Sequence, residues 1–255
     1  MKIQTSVVLL SAVFGFCLSS AGVAQVPAAL PQLTAAEIVA KNVAARGGAP
    51  TWRAVQTLST SGKVDLPGKA EQQAPFLLEQ KRGRKTRLEI QFQGKTSIQV
   101  YDGTAGWKLR PFLGRKEVEK FSPQELKAAS DLPDLDGPLM DYASKGIQVE
   151  ADGIEKIDGR DSYKLKLTFK NGAVRHMWID TNTFLEAQSD GEPIRLRGKL
   201  LQVRTTYKDY KSVQGLMLPF LQETTLEGSK KTRKLIVENV AVNPKVDDSR
   251  LAKLQ

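Results

Sequence analysis

The chain has 255 residues, with 38 lysines and arginines against 28 acidic residues, a formal net charge of +10 at pH 7, one cysteine and one histidine. A single cysteine excludes an internal disulfide framework, and a single histidine argues against a zinc site built from the usual ligands. The strong positive balance favours contact with anionic surfaces. The length allows one large domain with a real core, or at most two small ones.

The first 24 residues have the pattern of a secretory signal peptide. A positive n-region precedes an apolar run over residues 7–21, and residues 22–24 are small enough for cleavage before Gln25. The run is short for a membrane span. Cys17 could carry a lipid anchor, but Phe16 stands where a small residue is required, so we assign Cys17 to the signal. We therefore predict a periplasmic protein without an acyl anchor.

The exported part begins with a loose, proline-bearing lead over residues 25–33, and residues 34–255 are predicted to form a single domain. Thr34 and Glu37 have the spacing of a capping box, and an apolar stripe follows them. A glycine pair then ends the pattern. These signals predict one amphipathic helix over residues 35–46.

From residue 54 onward the apolar period changes from helical to alternating. Short alternating segments recur at even spacing and are bounded by Gly, Pro or Asn turn signals. We count about eleven strands, joined by hairpin-sized turns, without an internal repeat. The sequence thus predicts a mainly β (α+β) protein with one strongly curved antiparallel sheet.

Residues 121–146 interrupt this strand pattern. Three prolines break a helical texture, and the segment has too many apolar residues for a solvated loop. A segment that buries an apolar face while it connects two halves of a sheet suits a lid, although an ordinary capping segment fits equally well. The apolar side chains that we assign to the lid are Leu126, Leu132, Leu135, Leu139, Met140 and Tyr142.

The hairpin around Asn171-Gly172 offers a way to assign faces. Asn-Gly is a strong signal for a two-residue turn, which would pair Lys170 with Ala173. This register predicts that six side chains share one apolar face, namely Leu165, Leu167, Phe169, Val174, His176 and Trp178. The opposite face would be basic, with Met177 and Ile179 near its end. His176 is then a core histidine rather than a catalytic base.

The stretch VYDGTAGWKLRPF, residues 100–112, places an acidic residue beside a tryptophan. Asp102 lies between two strand-like segments and next to glycine, where an Asp side chain bonds its own backbone. Trp107 and Leu109 should lie on one face of the following strand, with Lys108 and Arg110 on the other. We interpret Asp102 as a turn residue, and we find no catalytic residue elsewhere.

The run EQKRGRKTRLEIQFQGKTSIQVYDGTAGWKLRPF resembles the signature region of the LolA/LolB-like family of periplasmic lipoprotein carriers and their outer-membrane receptors. The ending VENVAVNPKVDDSRL is similar to the closing strand and tail of that family. The resemblance implies a half-open antiparallel β-barrel, in which a helical lid covers a hydrophobic cavity for acyl chains. It also implies that Arg82 gates the cavity by bonding lid backbone, although Gly83 stands where the family has proline.

The resemblance further implies a monomeric carrier that needs no cofactor or metal and binds no nucleic acid. Its implied partners are an inner-membrane transporter and an outer-membrane receptor, and it would contact the membrane surface transiently. We expect twelve strand residues to line its cavity: Leu88, Ile90, Phe92, Ile98, Val100, Trp107, Leu109, Leu165, Leu167, Phe169, Val174 and Trp178.

Two other functions remain open at this point. An envelope-stress sensor could use the same fold, and would bind a lipid or an anti-sigma-type partner. An exported hydrolase fits less well, because the exported part has no thiol, a single histidine and no nucleophile motif.

Overall fold

The computed structural model describes residues 33–66, 72–196, 198–229 and 231–254. The predicted signal peptide and the predicted lead, as far as residue 32, lie outside the described residues. In the described residues, no helix combines the length and the apolar character needed to cross a membrane.

Three α-helices are described, together with two short 3₁₀-helices, Pro111–Leu113 and Asp248–Leu251. The first, α1 (Ala35–Ala45), begins with the predicted capping box: Thr34 accepts from the Glu37 amide, and the Glu37 carboxylate accepts from the Thr34 amide at 2.8 Å. The second, α2 (Ala49–Ala54), was not predicted, and has a proline in its first turn. The third, α3 (Pro123–Ser130), has a second capping box, formed by Ser122 and Glu125.

Fifteen strands are described, against about eleven predicted. The additional ones include β6, β11 and β12, which are short or poor in apolar alternation. The strands are β1 Thr57–Asp65, β2 Gln73–Lys81, β3 Lys85–Phe92, β4 Lys95–Tyr101, β5 Gly106–Arg110, β6 Arg115–Lys120, β7 Gln148–Ile157, β8 Arg160–Thr168, β9 Val174–Asp180, β10 Glu186–Asp190, β11 Ile194–Leu196, β12 Lys199–Leu201, β13 Val203–Val213, β14 Leu216–Leu226 and β15 Thr232–Val242.

Thirteen of these strands form one antiparallel sheet in the order β6-β5-β4-β3-β2-β1-β15-β14-β13-β10-β9-β8-β7, and β11 and β12 pair separately. The sheet does not close, because β6 and β7 are its two edges. The chain passes from one edge to the other through residues 121–147, where no strand is described. The predicted mainly β fold, an open half-barrel with helical elements, is confirmed.

The helices cover one face of this sheet, which we call the inner face. Alternate residues of β14 mark it: Leu216 is buried against Trp52 of α2, Leu218 packs beside them, and Phe220 belongs to the next apolar cluster. Further along the sheet, α1 packs its apolar stripe on β8 and β9. The core is therefore asymmetric, since helices fill one part of the inner face and leave another part open.

The C-terminal segment packs on the opposite, outer face. The Arg250 guanidinium bonds Glu79 of β2 at 2.8 Å and Glu89 of β3 at 3.0 Å, and the Arg250 carbonyl accepts from Arg87 at 3.0 Å. The next residue, Leu251, is fully buried. These residues belong to a short 3₁₀-helix, Asp248–Leu251, which packs beside β3.

The register predicted for the hairpin at Asn171-Gly172 is wrong by one residue. Lys164 pairs with Trp178, and Leu165 pairs with Met177. The Phe169 amide donates to the Ala173 carbonyl at 2.8 Å, so the loop has three residues rather than two. Among these loop residues only Gly172 has a positive φ, whereas a two-residue type I′ turn requires positive φ at both central positions.

The interpretation of Asp102 as a turn residue is confirmed. Its carboxylate accepts hydrogen bonds from the Thr104 amide at 2.8 Å and the Ala105 amide at 2.7 Å. Burial on its own would raise the pKa of Asp102, but these hydrogen bonds outweigh it, and the pKa lies below its ordinary value. The side chain is used locally to fix the bend between β4 and β5.

Candidate functional site

The open part of the inner face is an apolar surface formed by β1, β2, β3, β14 and β15. Its buried centre consists of Val64, Phe76, Phe220 and Val237, and half-buried aliphatic side chains surround it. A cavity of about 210 Å³ opens over this surface, and its lining is mostly apolar: Val64, Phe76, Leu88, Ile90, Gln222, Thr224, Arg233 and Leu235. We call it the apolar cavity.

Residues 121–146, which we call the lid segment, span the inner face from one half of the sheet to the other. On the first half, Asp134 accepts from the Gly83 amide at 3.0 Å, and the Ser130 carbonyl accepts from Arg84 at 2.6 Å. On the second half, Asp131 accepts from Asn171 of the β8–β9 loop at 3.3 Å. The segment therefore bridges two turns that belong to opposite halves of the sheet.

A cavity of about 400 Å³ lies between the lid segment and these two turns. Phe169 and Ile147 contribute apolar surface to it, while Arg84, Lys145 and Arg175 contribute cations. Leu132, which is exposed, belongs to its wall. We call it the lid cavity.

Asp136 is the principal electrostatic anchor of the lid segment. Its carboxylate is buried and accepts from Arg82 at 2.9 Å and from Lys145 at 2.6 Å. Burial alone would raise the pKa of Asp136, but the hydrogen bonds from Lys145 and Arg82, with their positive charges, hold that pKa below its ordinary value. The carboxylate is therefore ionised at neutral pH and holds two cations together.

Arg82 joins the lid segment to α2 rather than bonding lid carbonyls. Its Nε donates to the Val55 carbonyl at 3.0 Å, one terminal nitrogen donates to the Trp52 carbonyl at 2.8 Å, and the other bonds Asp136. The resemblance had implied acceptors in the lid backbone, and that detail is wrong. Arg82 still contacts the lid segment, through the Asp136 side chain.

A second arginine contacts the same region. Arg46, at the end of α1, donates to the Asp136 carbonyl at 2.9 Å and pairs with Glu186 of β10 at 3.3 Å. The Tyr210 hydroxyl donates to the Glu186 carbonyl at 3.0 Å, and burial raises the pKa of Tyr210, so this phenol stays protonated. A cavity of about 180 Å³ lies here between Arg46, Tyr210 and two prolines of the lid segment, Pro133 and Pro138.

The structure divides the twelve side chains predicted to line the cavity between the two faces of the sheet. Six lie on the inner face: Leu88, Ile90, Phe92, Leu165, Leu167 and Phe169. Six lie on the outer face: Ile98, Val100, Trp107, Leu109, Val174 and Trp178. The prediction that all twelve share a cavity is therefore wrong.

Pairing across the strands explains this division. Ile90 of β3 pairs with Ser97, so Ile98 points to the other face, and Leu109 pairs with Ile98. The expected alternation within β5 is correct, but Trp107 and Leu109 face outward and Lys108 faces inward. Lys108 bonds Glu125 of α3 there.

The one-residue shift in the β8–β9 hairpin explains why the last two of the six, Val174 and Trp178, lie on the outer face. Trp178 lies on the outer face beside Lys164, and its indole donates to Glu155 at 2.9 Å. His176 is also on the outer face, where it bonds Asp190 at 2.9 Å, so it is not the predicted core histidine of the apolar face. Met177 and Ile179, which were assigned to the basic face, belong to the apolar core.

The apolar residues of the predicted lid are buried to different extents. Leu139 and Met140 are fully buried, Leu135 and Tyr142 pack against the two core clusters, and Leu126 is half-buried. Leu132 is 52% exposed, so it does not cover the inner face in this arrangement.

Sequence reasoning did not identify Asp136 or Arg46 as parts of the site. Asp136 lies in a proline-rich stretch with two other aspartates, Asp131 and Asp134, and nothing in the pattern distinguishes it from them. Among the described residues, no group of three or more His, Cys, Asp or Glu side chains is arranged to hold a metal ion.

Comparisons with known proteins concern the fold. No protein-family model matches the sequence, and no curated protein matches it significantly. A crystal structure of a LolA superfamily protein from Nitrosomonas europaea superposes with a TM-score of 0.56 at 17% identity, covering 87% of this chain and 98% of that one. The chain has a LolA-like fold.

Two further solved structures superpose on most of the chain. A DUF1329 family protein from Desulfovibrio piger gives a TM-score of 0.56 at 16% identity, covering 86% of this chain and 97% of that one. A putative outer membrane lipoprotein-sorting protein domain from Vibrio parahaemolyticus gives 0.55 at 16% identity, covering 84% and 94%. The predicted resemblance is confirmed at the level of the fold.

Proposed function

We propose that this protein is a periplasmic carrier, which shields the acyl chains of a lipoprotein or another lipid on the inner face of its sheet during transfer toward the outer membrane. The observation that carries the proposal is the open apolar cavity on a face that is otherwise covered by helices. The proposed role is binding without catalysis. Its proposed partners are an inner-membrane transporter that loads the carrier and an outer-membrane receptor that unloads it.

Hydrophobic transfer makes this role energetically reasonable. Each methylene group moved from water into an apolar site gains about 0.8 kcal/mol, so a long acyl chain is bound strongly only if most of it is buried. The apolar cavity, of about 210 Å³, and the lid cavity, of about 400 Å³, are separate here. We propose that loading moves the lid segment and joins the two cavities.

The cavity is tested by placing a charge in it and comparing a matched position. Ile90→Asp puts a carboxylate into the apolar cavity, whereas Ile98→Asp changes the same residue type, half-buried to a similar degree, on the outer face of the next strand. An unpaired charge in an apolar site costs several kcal/mol. We expect Ile90→Asp to lose bound lipid in mass spectrometry of the purified protein and Ile98→Asp to retain it.

Equal lipid content in the two variants, or no bound lipid in the unsubstituted protein after export in the presence of lipoproteins, would contradict the proposed function. Thermal melting of both variants distinguishes a loss of lipid from a loss of folding.

The proposed gating role of Arg82 is tested by Arg82→Leu. The substitution removes the contact with Asp136 and both contacts with α2, so we expect the lid to open, lipid to be retained and transfer to an acceptor to be lost. Arg84 is unsuitable as the control because it donates to the Ser130 carbonyl of the lid segment. Lys85→Leu removes a neighbouring cation instead. Transfer that is equally fast in Arg82→Leu and in Lys85→Leu would show that Arg82 does not gate the cavity.

A further inference from the structure

The two-stranded sheet of β11 and β12 is a small hairpin separate from the large sheet, and it exposes apolar side chains. Among the described residues, Ile194 and Leu200 are 36% and 57% exposed, which places two of the five large exposed apolar side chains in this hairpin. Ile194 pairs with Leu201 and Arg195 pairs with Leu200, so the exposed pair lies on opposite faces of the hairpin. An isolated two-stranded hairpin is marginally stable in water.

The hairpin also has a strong positive charge. In the sequence, the hairpin over residues 194–201 contains three basic residues, Arg195, Arg197 and Lys199, and no acidic residue. The next basic residues along the chain are paired with acids: Arg204 lies 3.4 Å from Asp190, and Lys208 lies 2.7 Å from Asp158. Among the described residues, neither Arg195 nor Lys199 forms an ion pair with an acidic side chain, and the nearby Glu192 pairs with Arg175.

The position of the hairpin relates it to the apolar cavity. Its base is held by two backbone hydrogen bonds, from Gly191 to Val203 at 2.8 Å and from Glu227 to Gln202 at 2.9 Å. Val203 pairs with Leu226 of β14, which is two residues beyond the cavity-lining Thr224. The hairpin thus extends from the sheet end beside the apolar cavity.

We propose that the β11–β12 hairpin inserts into the interfacial layer of a bilayer that contains anionic lipids. A protein partner that docks on a hairpin would bury only one of its faces. A bilayer interface surrounds an inserted hairpin and can therefore bury the apolar side chains on both faces. Arg195 and Lys199 would contact lipid phosphates, and each basic residue near an anionic surface strengthens binding by about fivefold. Insertion would bring the apolar cavity to the membrane, where acyl chains enter or leave.

The proposal is tested by sedimentation of the purified protein with vesicles of phosphatidylcholine and phosphatidylglycerol in equal amounts, against vesicles of phosphatidylcholine alone. We expect binding to the anionic vesicles that decreases with salt. The double variants Ile194→Ser/Leu200→Ser and Arg195→Gln/Lys199→Gln should each weaken binding by at least about tenfold. In a separate variant, Leu200→Trp, the added fluorescence should shift to the blue on binding and be quenched by brominated lipids.

Matched controls separate insertion from general adhesion. Ile154→Ser/Val174→Ser removes two exposed apolar side chains elsewhere, and Lys116→Gln/Lys120→Gln removes two charges from β6. Both should bind within about twofold of the unsubstituted protein. Absence of binding, equal binding by the hairpin variants, or an equal loss in the control variants would overturn the proposal, and the first two results would leave the hairpin to a protein partner.

The hairpin proposal can fail or succeed independently of the proposed carrier function. A soluble fluorescent fatty acid, offered without vesicles, reports on the apolar cavity alone. The hairpin variants should bind it like the unsubstituted protein. If the unsubstituted protein binds vesicles but not the fatty acid, the carrier function fails while the membrane contact stands.

Discussion

Replacing Asp136 by asparagine should destabilise the protein far more than a surface charge change does. The Asp136 side chain is 8% exposed, whereas those of its partners Arg82 and Lys145 are 27% and 28% exposed. Breaking a fully buried ion pair costs about 3–5 kcal/mol. Because both cations can still reach water, and asparagine keeps one acceptor oxygen, we expect a loss of about 2 kcal/mol in the free energy of unfolding.

The assay is urea denaturation at pH 7, with Asp141→Asn as the control. Asp141 pairs with Arg53 at 2.9 Å, but their side chains are 46% and 59% exposed, so this pair should contribute no more than about 0.5 kcal/mol. A loss of about 2 kcal/mol corresponds to a decrease of about 4–8 °C in Tm for a domain of this size. If Asp136→Asn costs no more than Asp141→Asn, the assignment of Asp136 as an anchor is wrong.

The same variant has a predicted pH signature. The pKa of Asp136 is depressed in the folded protein, so its stabilisation is complete above the unfolded pKa, about 3.9, and is lost as the pH falls through the folded value. Asparagine does not titrate. The stability difference between the two proteins should therefore be constant near neutral pH and shrink in acid; a difference that grows in acid would contradict the mechanism.

Three further predictions concern packing and are checked by the same denaturation assay. Leu167→Ala should cost about 2–5 kcal/mol, because Leu167 is buried in the core under α1, while Lys166→Glu on the other face should cost less than about 1 kcal/mol; similar losses would mean that the observed register is wrong. Gly47→Ala should lower the free energy of unfolding by more than about 2 kcal/mol, because Gly47 has a φ of +113° and an added Cβ would lie 2.1 Å from the Gly215 carbonyl oxygen. An unchanged free energy of unfolding would refute this close contact. Leu251→Ala should cost about 2–3 kcal/mol, because Leu251 is fully buried where the C-terminal segment packs on the outer face, and an unchanged midpoint would show that this segment is detached in solution.

Local signals in the sequence predicted local structure well. The capping box of Thr34 and Glu37 gave the start of α1 correctly, and the turn chemistry of Asp102 was also correct. In both cases a few neighbouring residues determine the conformation. The Asn171-Gly172 pair was ambiguous, because it fits a two-residue turn as well as a three-residue loop that ends in a positive-φ glycine.

The candidate site was harder to predict because it depends on register between strands. The turn at Gln93-Gly94 has two residues with positive φ and pairs Phe92 with Lys95, which places Ile98 and Leu88 on opposite faces. Treating Gln93-Gly94 as a two-residue turn in the sequence would have predicted this register. Asp136 could not be identified in the same way, since its partners Arg82 and Lys145 meet it only in the folded chain.

The path of the chain gives the lid segment a mechanical role. Strands β6 and β7 are the two free edges of the large sheet, and the residues between them, 121–147, are the covalent link from one edge to the other. The end-to-end length of this link limits how far the two edges can separate. The eight residues of α3 span about 12 Å as a helix and about 27 Å when extended. Unwinding α3 would therefore release about 15 Å, which would let the half-barrel widen while every strand keeps its neighbours.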